Sequence, residues 1–437
     1  MSPATSLMPS LADRSADLVI RRARVRDDAP LTDIAIREGR IVAVATDLDV
    51  DAVQTLDVGG RATLPGFIEA HIHLDKALLA RARPSVSGTL DEAIRVTGEL
   101  KARRDRADML ERASRVIEMA VQHGTTTLRA HPDVDPIQGL LGVEVMLELR
   151  ERYRDLVDLQ IVAFPQEGLF KAPGTEALLI EALRLGADVM GACPYNETHW
   201  DDTVRHIDRV FEIAARFGVD LDMHADFADD TRDPRFAAVS QIARKTIEMG
   251  YEGRVSLGHV TSLGAVPPDQ LGALVDALRR ADIHIVTLPA TDLYLGGRTD
   301  THARRRGLTP VRDLLDGGVN VAYASNNVRN AFTPFGNADM LHVGNLLAHA
   351  AQLGTPADQA RVLEMATTRA ARAIGLRDYG IAVGNPADLV VLDGMRVDEA
   401  LLDLPPRSWV IKRGRIAVTT RHCCELHRAH ALQDTSQ

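Results

Sequence analysis

Short apolar segments alternate with amphipathic segments through the middle of the chain. The amphipathic segments have helical spacing; in one of them, Val204, Ile207, Phe211 and Ala214 recur on one face before Gly218 ends the helix. Eight apolar segments are candidate strands: Phe67–His73, Thr125–His131, Leu159–Gln166, Asp188–Pro194, Asp220–Asp226, Arg254–Val260, His284–Ala290 and Asn320–Asn326. Eight strand–helix units in succession predict an α/β fold, a (β/α)8 TIM barrel.

Both ends of the chain have a different pattern, in which polar and apolar residues alternate around glycine turns. Asp17–Arg21, Asp33–Ile36 and Ile41–Ala45 read as strands near the N-terminus, and Ala387–Leu392 and Trp409–Val418 near the C-terminus. Neither end alone can bury a sheet, so we expect one small β-sandwich built from both. The predicted domains are 1–63 and 381–422 (β-sandwich), 64–380 (barrel) and 423–437 (polar tail).

Most of the predicted barrel strands end on a polar residue capable of chemistry. These residues are His71 and His73, His131, Gln166, His224, His259 and Asn326. Because the carboxyl ends of parallel barrel strands meet at one rim, where such enzymes place their active sites, we expect these side chains to converge.

The His71-Ile72-His73 pair is the first candidate metal-binding feature. Residues two apart on a strand point to the same face, so both imidazoles can bind one divalent ion. The pair alone is a weak signal. His224 would supply a third ligand from another strand end, and His259 ends the strand after that.

Composition and charge narrow the function. The 437 residues are 45% hydrophobic and 26% charged, as in ordinary globular proteins, and 51 Lys and Arg against 61 Asp and Glu give a net charge of -10. This acidic balance argues against nucleic acid or anionic membrane as partner, and the basic run Arg304–Arg306 reads as a solvated helix start or loop. No apolar run reaches the roughly 18 residues that span a bilayer. Residues 1–14 lack a signal-peptide pattern, so a cytoplasmic location is expected.

The three cysteines do not predict a disulfide framework. Cys423 and Cys424 are adjacent, which disfavours pairing, and Cys193 is far from them in sequence. With His427 and His430 they superficially suggest a zinc site, but adjacent thiols chelate poorly, and a polar tail is the better interpretation.

The stretch Leu64–Lys76 closely resembles the first metal-binding strand of the cytosine deaminase branch of the amidohydrolases. That branch includes the enzyme that removes isopropylamine from N-isopropylammelide. The resemblance continues in order through Phe164–Gly168, Leu179–Gly191, Gly296–Asp300 with Arg305–Gly307, Pro334–Met340 and Asp378–Leu389, and so covers most of the chain.

The resemblance implies a role for each matching residue. His71, His73 and His224 look like the ligands of one catalytic Zn²⁺ or Fe²⁺, with Mn²⁺ as a further candidate. His259 looks like the histidine that contacts the metal-bound water or the tetrahedral centre. Gln166 looks like the amide that reads a ring carbonyl and a ring N–H.

Lys76 matches a lysine of the isopropylammelide-type enzymes and is predicted to bind substrate or act in catalysis. Its alternative interpretation is an exposed lysine on the barrel rim. We also predict substrate contacts for Phe227, Asn327, Phe332 and His131.

Two positions depart from the family pattern. Asn326 stands where the family has an aspartate that touches the metal and takes a proton from its water, and a neutral amide cannot act as that base. Asn326 is either native to a subgroup or the product of an Asp→Asn change. Phe227 stands where cytosine deaminases have a proton-shuttling glutamate; the isopropylammelide-type enzymes also lack it.

Other residues must therefore move protons. The candidates, in order, are His259, Asp226, Lys76 and His131, with the alternative that Asp226 only orients a ligand histidine.

Three functions follow from this pattern. The leading one is a metal-dependent hydrolase, acting on C–N bonds other than peptide bonds. In it a metal-bound hydroxide displaces ammonia or an amine from a small pyrimidine- or s-triazine-type heterocycle. The second is a ring-opening hydrolase of cyclic amides or amidines, and the third is a ligand-binding homologue with impaired catalysis. By analogy with the family, we expect a homo-oligomer.

Overall fold

The computed structural model describes residues 15–103 and 105–427. Residues 1–14, on which the signal-peptide expectation rests, lie outside the described residues. So does the part of the tail that contains His430.

The N-terminal residues form a four-stranded sheet. Its strands are β1 (Ser15–Ala23), β2 (Thr32–Arg37), β3 (Arg40–Ala45) and β4 (Asp51–Asp57), in the order β3-β2-β1-β4. β1, β2 and β3 are antiparallel neighbours, and β4 is parallel to β1. The chain then leaves this sheet through β5 (Thr63–Pro65).

Eight parallel strands form the central barrel in sequence order. They are β6 (Phe67–Ile72), β7 (Thr125–Ala130), β8 (Asp158–Ala163), β9 (Val189–Ala192), β10 (Asp220–Ala225), β11 (Val255–His259), β12 (His284–Thr287) and β13 (Asn320–Tyr323). The barrel closes just beyond β13, where Asn326 donates its backbone N–H to the carbonyl of His71 (2.9 Å) and accepts the N–H of His73 (2.8 Å).

Helices surround the barrel and bury their apolar faces against it. On α5 (Trp200–Phe217), for example, Ile207, Phe211 and Ala214 are buried as the helical spacing predicts, whereas Val204 is only half-buried. The helices are α1 (Leu90–Lys101), α2 (Arg106–Gln122), α3 (Leu141–Tyr153), α4 (Thr175–Leu185), α5 (Trp200–Phe217), α6 (Val239–Glu248), α7 (Pro268–Arg280), α8 (Pro289–Leu295), α9 (Val311–Asp316), α10 (Met340–Ala350), α11 (Pro356–Met365) and α12 (Thr368–Ala373).

The C-terminal residues complete the β-sandwich. β14 (Leu389–Leu392), α13 (Ala400–Asp403), β15 (Arg407–Lys412) and β16 (Arg415–Thr419) follow the barrel, and the second sheet has the order β16-β15-β14-β5. Leu18 and Ile34 of the first sheet pack against Leu389 and Ile411 of the second. The predicted fold class, a (β/α)8 barrel with terminal β-sheets, is confirmed. The domain boundaries stay a prediction, and the one at 63/64 falls within β5.

Several barrel strands end earlier than the sequence predicted. β12 ends at Thr287 instead of Ala290, and β13 at Tyr323 instead of Asn326. The chain turns sharply beside the rim, where Asp226, His259 and Asn326 have φ of 49°, 70° and 59°. Non-glycine residues adopt this left-handed backbone at some cost, and such residues concentrate at functional sites.

Among the described residues, no helix is both long and apolar enough to cross a bilayer. Cys193 is buried, whereas Cys423 and Cys424 are exposed, and all three are free. Arg304–Arg306 lie in an exposed loop.

Candidate active site

Three predicted metal ligands converge at the rim of the barrel. His71 is on β6, His73 follows the end of this strand, and His224 is on β10; all three are buried. The Nε2 atom of His224 lies 2.7 Å from that of His71 and 3.4 Å from that of His73. The histidines thus offer a compact group of metal-ligating atoms.

The protonation of these rings suits a divalent cation. His73 donates Nδ1–H to the carbonyl oxygen of His131 (2.8 Å), which leaves a lone pair on Nε2. Burial, with the charge of His131 next, lowers the pKa of His71 to about 3, and burial holds the pKa values of His73 and His224 well below the usual range. Converging lone pairs of neutral imidazoles repel one another, and a bound cation removes that repulsion.

A buried carboxylate supports the ligands from behind. Asp222 Oδ1 lies 3.7 Å from His71 Nδ1 and 3.0 Å from His131 Nε2, while Oδ2 accepts a hydrogen bond from Arg129 (2.9 Å). Burial raises the pKa of Asp222, but these three partners outweigh it and hold the pKa well below its ordinary value. Carboxylates placed in this way orient metal-binding histidines and make them more basic.

Gly258, on β11, has no side chain, and the histidine rings occupy the space where one would lie. A Cβ atom at this position would lie 3.2 Å from His71 Cε1 and 3.4 Å from His224 Cδ2. The first distance is clearly shorter than ordinary carbon contacts of roughly 3.5–4.0 Å, so a side chain here would press on the ring of His71.

A cavity of about 240 Å³ opens above the histidines. The predicted site residues that line it are His73, His224, His259, Asn326, Lys76, Gln166, Phe227, Asn327 and Phe332. Helix α1 roofs the cavity with Leu90, Ile94 and Thr97. The lining therefore combines charged and polar side chains, such as Lys76 and Gln166, with apolar ones, such as Phe227 and Phe332, which is typical of sites for small ligands.

Lys76 is buried, which excludes the alternative of an exposed rim lysine. It is 4% exposed, and its ammonium group donates to Asp133 (2.7 Å) and to the side-chain oxygen of Gln166 (3.3 Å). Because Lys76 donates to the side-chain oxygen of Gln166, this oxygen faces Lys76 and the NH₂ group of the amide faces away from Lys76.

Lys101 anchors the roof to the barrel. This last residue of α1 contacts Asp133 (2.8 Å), Asp135 (2.7 Å) and Glu167 (3.0 Å). Burial lowers the pKa of Lys101, but the three carboxylates outweigh it and raise the pKa above its ordinary value. Asp133 is shared with Lys76, so Lys101 at the end of α1 and Lys76 beside the cavity belong to one ion cluster.

Of the residues predicted to act in catalysis or to bind substrate, two lie outside the cavity lining. His131 is fully buried, stacks on His71 with ring centroids 3.6 Å apart and directs Nε2 to Asp222, so its position does not support a substrate contact. Asp226 accepts the backbone N–H groups of Ala238 (2.9 Å) and Val239 (3.2 Å). It therefore caps α6 instead of facing the ligands, which argues against the proposed acid–base role.

Asn326 lies at the cavity, as its place in the sequence predicts. Its backbone closes the barrel, and its side-chain Oδ1 is buried with no hydrogen-bond partner in the described chain. An unpaired buried amide oxygen is costly, so the atom is positioned to meet a cation or a donor supplied from outside the chain.

Sequence reasoning missed the residues that support the site. Asp222 could have been found, because it precedes His224 by two positions and so shares the strand face of that ligand. Asp133, Lys101 and Asp292 lie on loops and helices, where no spacing rule marks them.

The fold is a (β/α)8 barrel, and three histidines at its rim form a cluster that could hold a metal ion, as in metal-dependent barrel hydrolases. The amidohydrolase family profile matches residues 88–418. The chain is 30% identical over 412 residues to the N-isopropylammelide isopropyl amidohydrolase of Pseudomonas sp. (strain ADP), covering 92% of this chain and 97% of that protein.

Solved structures agree with this match. A 5-methylcytosine deaminase from Klebsiella pneumoniae, liganded with 5-fluorocytosine, has a TM-score of 0.88 and 31% identity, covering 94% of this chain and 99% of that one. An N-isopropylammelide isopropylaminohydrolase from Burkholderia multivorans has a TM-score of 0.81 and 30% identity, covering 91% and 97%. The chain belongs to the amidohydrolase family, so the family resemblance and the class of hydrolase predicted from the sequence are confirmed.

Proposed function

We propose that the protein is a metal-dependent aminohydrolase that displaces ammonia or an amine from a small nitrogen heterocycle of the pyrimidine or s-triazine type. The observation that carries this proposal is the convergence of three neutral imidazoles, those of His71, His73 and His224, beside a cavity that His73 and His224 line. The names of the relatives support the substrate class.

His71, His73 and His224 would hold one Zn²⁺ or Fe²⁺, with Mn²⁺ as a further candidate. When bound, such an ion would activate water, because it lowers the pKa of the water from about 15.7 towards about 7.

The cavity walls orient the substrate. The Gln166 amide and the Lys76 ammonium donate hydrogen bonds to ring acceptors, and Phe227 and Phe332 provide flat apolar surface beside the ring. The Lys76 ammonium, held by Asp133, would also stabilise negative charge that develops on the ring.

His259 takes the proton-transfer role in this proposal. Asn326 is neutral, Phe227 carries no ionisable group, and Asp226 is occupied as a helix cap. Among the predicted acid–base candidates, this leaves His259 as the imidazole that lines the cavity next to the ligand His224, with ring centroids 4.9 Å apart.

A turnover assay on defined probes tests the proposal. Protein reconstituted with Zn²⁺, Fe²⁺ or Mn²⁺ is incubated with cytosine, 5-methylcytosine, ammelide and N-isopropylammelide, and released ammonia or amine is measured beside the mass of the ring product. Release of ammonia or amine with an intact ring is the expected result. A ring-opened acid would favour the cyclic amide hydrolase, and no turnover with any metal would favour the impaired ligand-binding homologue.

Asn326→Asp gives a second test. If His259 serves as the base, restoring a carboxylate at Asn326 should leave kcat unchanged or lower it, because the added charge weakens the cation as a Lewis acid. An increase of orders of magnitude would show a site that has lost its base, and would contradict the assignment of His259.

A further inference from the structure

His259 is held by a carboxylate that the proposed function does not explain. Its Nδ1 lies 2.7 Å from Oδ1 of Asp292, which is fully buried on α8. The other oxygen, Oδ2, accepts the backbone N–H of Leu288 (3.3 Å). Within the described chain, His259 is the sole ion-pair partner of Asp292.

These contacts determine the tautomer of the ring. When Asp292 is ionised, its carboxylate accepts hydrogen bonds and cannot donate, so Nδ1 of His259 carries the hydrogen and neutral His259 has its lone pair on Nε2. Phe227 packs against the ring at a centroid distance of 4.3 Å, and Thr309 donates its hydroxyl to the backbone carbonyl of His259. Backbone, ring face and Nδ1 are therefore all fixed, and Nε2 makes no hydrogen bond to the residues that the structure describes.

We propose that Asp292 is a positioning residue that holds His259 in the Nδ1–H tautomer, with Nε2 ready to accept a proton at the substrate. The proposal rests on the proposed function for the reaction that this proton belongs to. As the water oxygen bonds to the ring carbon, one O–H bond of water breaks and its proton goes to Nε2. The same proton is then delivered to the leaving nitrogen as the C–N bond breaks, so that the net reaction adds one water.

The buried charge of Asp292 also serves the second half of this cycle. Protonated His259 is an imidazolium, and a carboxylate 2.7 Å away stabilises it. Arg129 neutralises Asp222 behind the proposed ligand histidines, whereas among the described residues no arginine or lysine forms an ion pair with Asp292. The chain thus provides a negative charge beside His259 while it lacks one at Asn326.

Asp292→Asn should invert the tautomer, and the hydrogen bonding predicts the direction. The amide oxygen of the new side chain must accept the N–H of Leu288, which turns its NH₂ group toward Nδ1 of His259. Nδ1 then has to accept, and the ring hydrogen moves to Nε2. Glu197 and His206 form an equally short and buried carboxylate–imidazole pair (2.7 Å) away from the cavity, and they provide an internal control.

The test combines spectroscopy with kinetics. Selective ¹⁵N-histidine labelling of the metal-free full-length protein, with His259→Gln to assign the resonance, reports which ring nitrogen is protonated. We expect Nδ1–H at His259 in the wild type, Nε2–H in Asp292→Asn and an unchanged His206 in both. With metal restored, Asp292→Asn should lower kcat by about 10²–10⁴-fold, the usual contribution of acid–base catalysis, while metal content and KM stay near wild type.

Either of two results would overturn the role of Asp292. One is an Nε2–H tautomer in the wild type, and the other is a variant whose His259 signals and kcat match the wild type. The tautomer is read without metal or substrate, so the absence of turnover on every probe would reject the proposed function alone.

Discussion

A single methyl group added at Gly258 should disturb the histidine cluster, although none of the three histidines is itself changed. In Gly258→Ala, the new Cβ would lie 3.2 Å from His71 Cε1, so that this ring must move by a few tenths of an ångström, while the 3.4 Å to His224 Cδ2 is close to an ordinary contact. Metal–ligand distances tolerate only about 0.2 Å. We therefore expect metal affinity to fall by roughly 10–100-fold, as when a supporting contact of a metal site is lost. This corresponds to about 1.4–2.7 kcal/mol.

Overpacking adds a cost in the metal-free protein of about 1–3 kcal/mol, which lowers its unfolding temperature. Gly272→Ala is a matched control, because Gly272 is exposed on α7 with nothing within 4 Å of its added Cβ. The control should keep wild-type metal affinity and gain roughly 0.5–1 kcal/mol of stability from the loss of a helix-interior glycine.

Competition between Zn²⁺-loaded protein and a chelator series measures the affinity, with metal content determined by mass spectrometry. The steric argument fails if Gly258→Ala retains one metal per chain against the same chelator that the wild type resists. It also fails if Gly272→Ala loses metal to the same extent.

Three further outcomes are expected. His73→Ala should empty the metal site with little loss of folding, seen by metal analysis beside thermal unfolding; stoichiometric metal in the variant would refute its role as a ligand. Asp222→Asn should lower metal affinity by about 10–100-fold, and an unchanged affinity would show that Asp222 does not orient His71. Burial lowers the pKa of His284 to about 4 from 6.5, so the unfolded chain binds more protons between these values and stability falls as pH drops through this window, by on the order of 2 kcal/mol at pH 5. In urea unfolding at pH 7 and pH 5, His284→Gln should lack this part of the acid sensitivity, and an equal pH dependence in both proteins would contradict the assignment.

Periodicity and strand ends predicted the barrel and the convergence of the histidines that we propose as metal ligands. His71, His73 and His224 could be found because a strand projects every second side chain to one face, and parallel strands bring their ends to one rim. The same rule predicts that Asn326 and His259 face the same cavity, where the structure places them.

The directions of side chains after the strand ends could not be predicted in this way. Asp226 lies two positions beyond His224, but a φ of 49° turns its carboxylate toward the start of α6. His131 ends up stacked on His71 instead of facing the cavity. Asp292 reaches His259 from α8, a contact between separate elements that depends on how the helix packs and not on any local pattern.

The backbone bonds between Asn326 and the His71–His73 segment tie the histidine cluster to the closure of the barrel. β6 and β13 are the first and last strands of the barrel, and β5, which leads into β6, is held by β14 from beyond the barrel. We therefore expect a partly synthesised chain, in which the barrel is not closed, to bind metal more weakly than the complete protein. Metal uptake then reports on completed folding, and the bound ion in turn stabilises only the closed barrel.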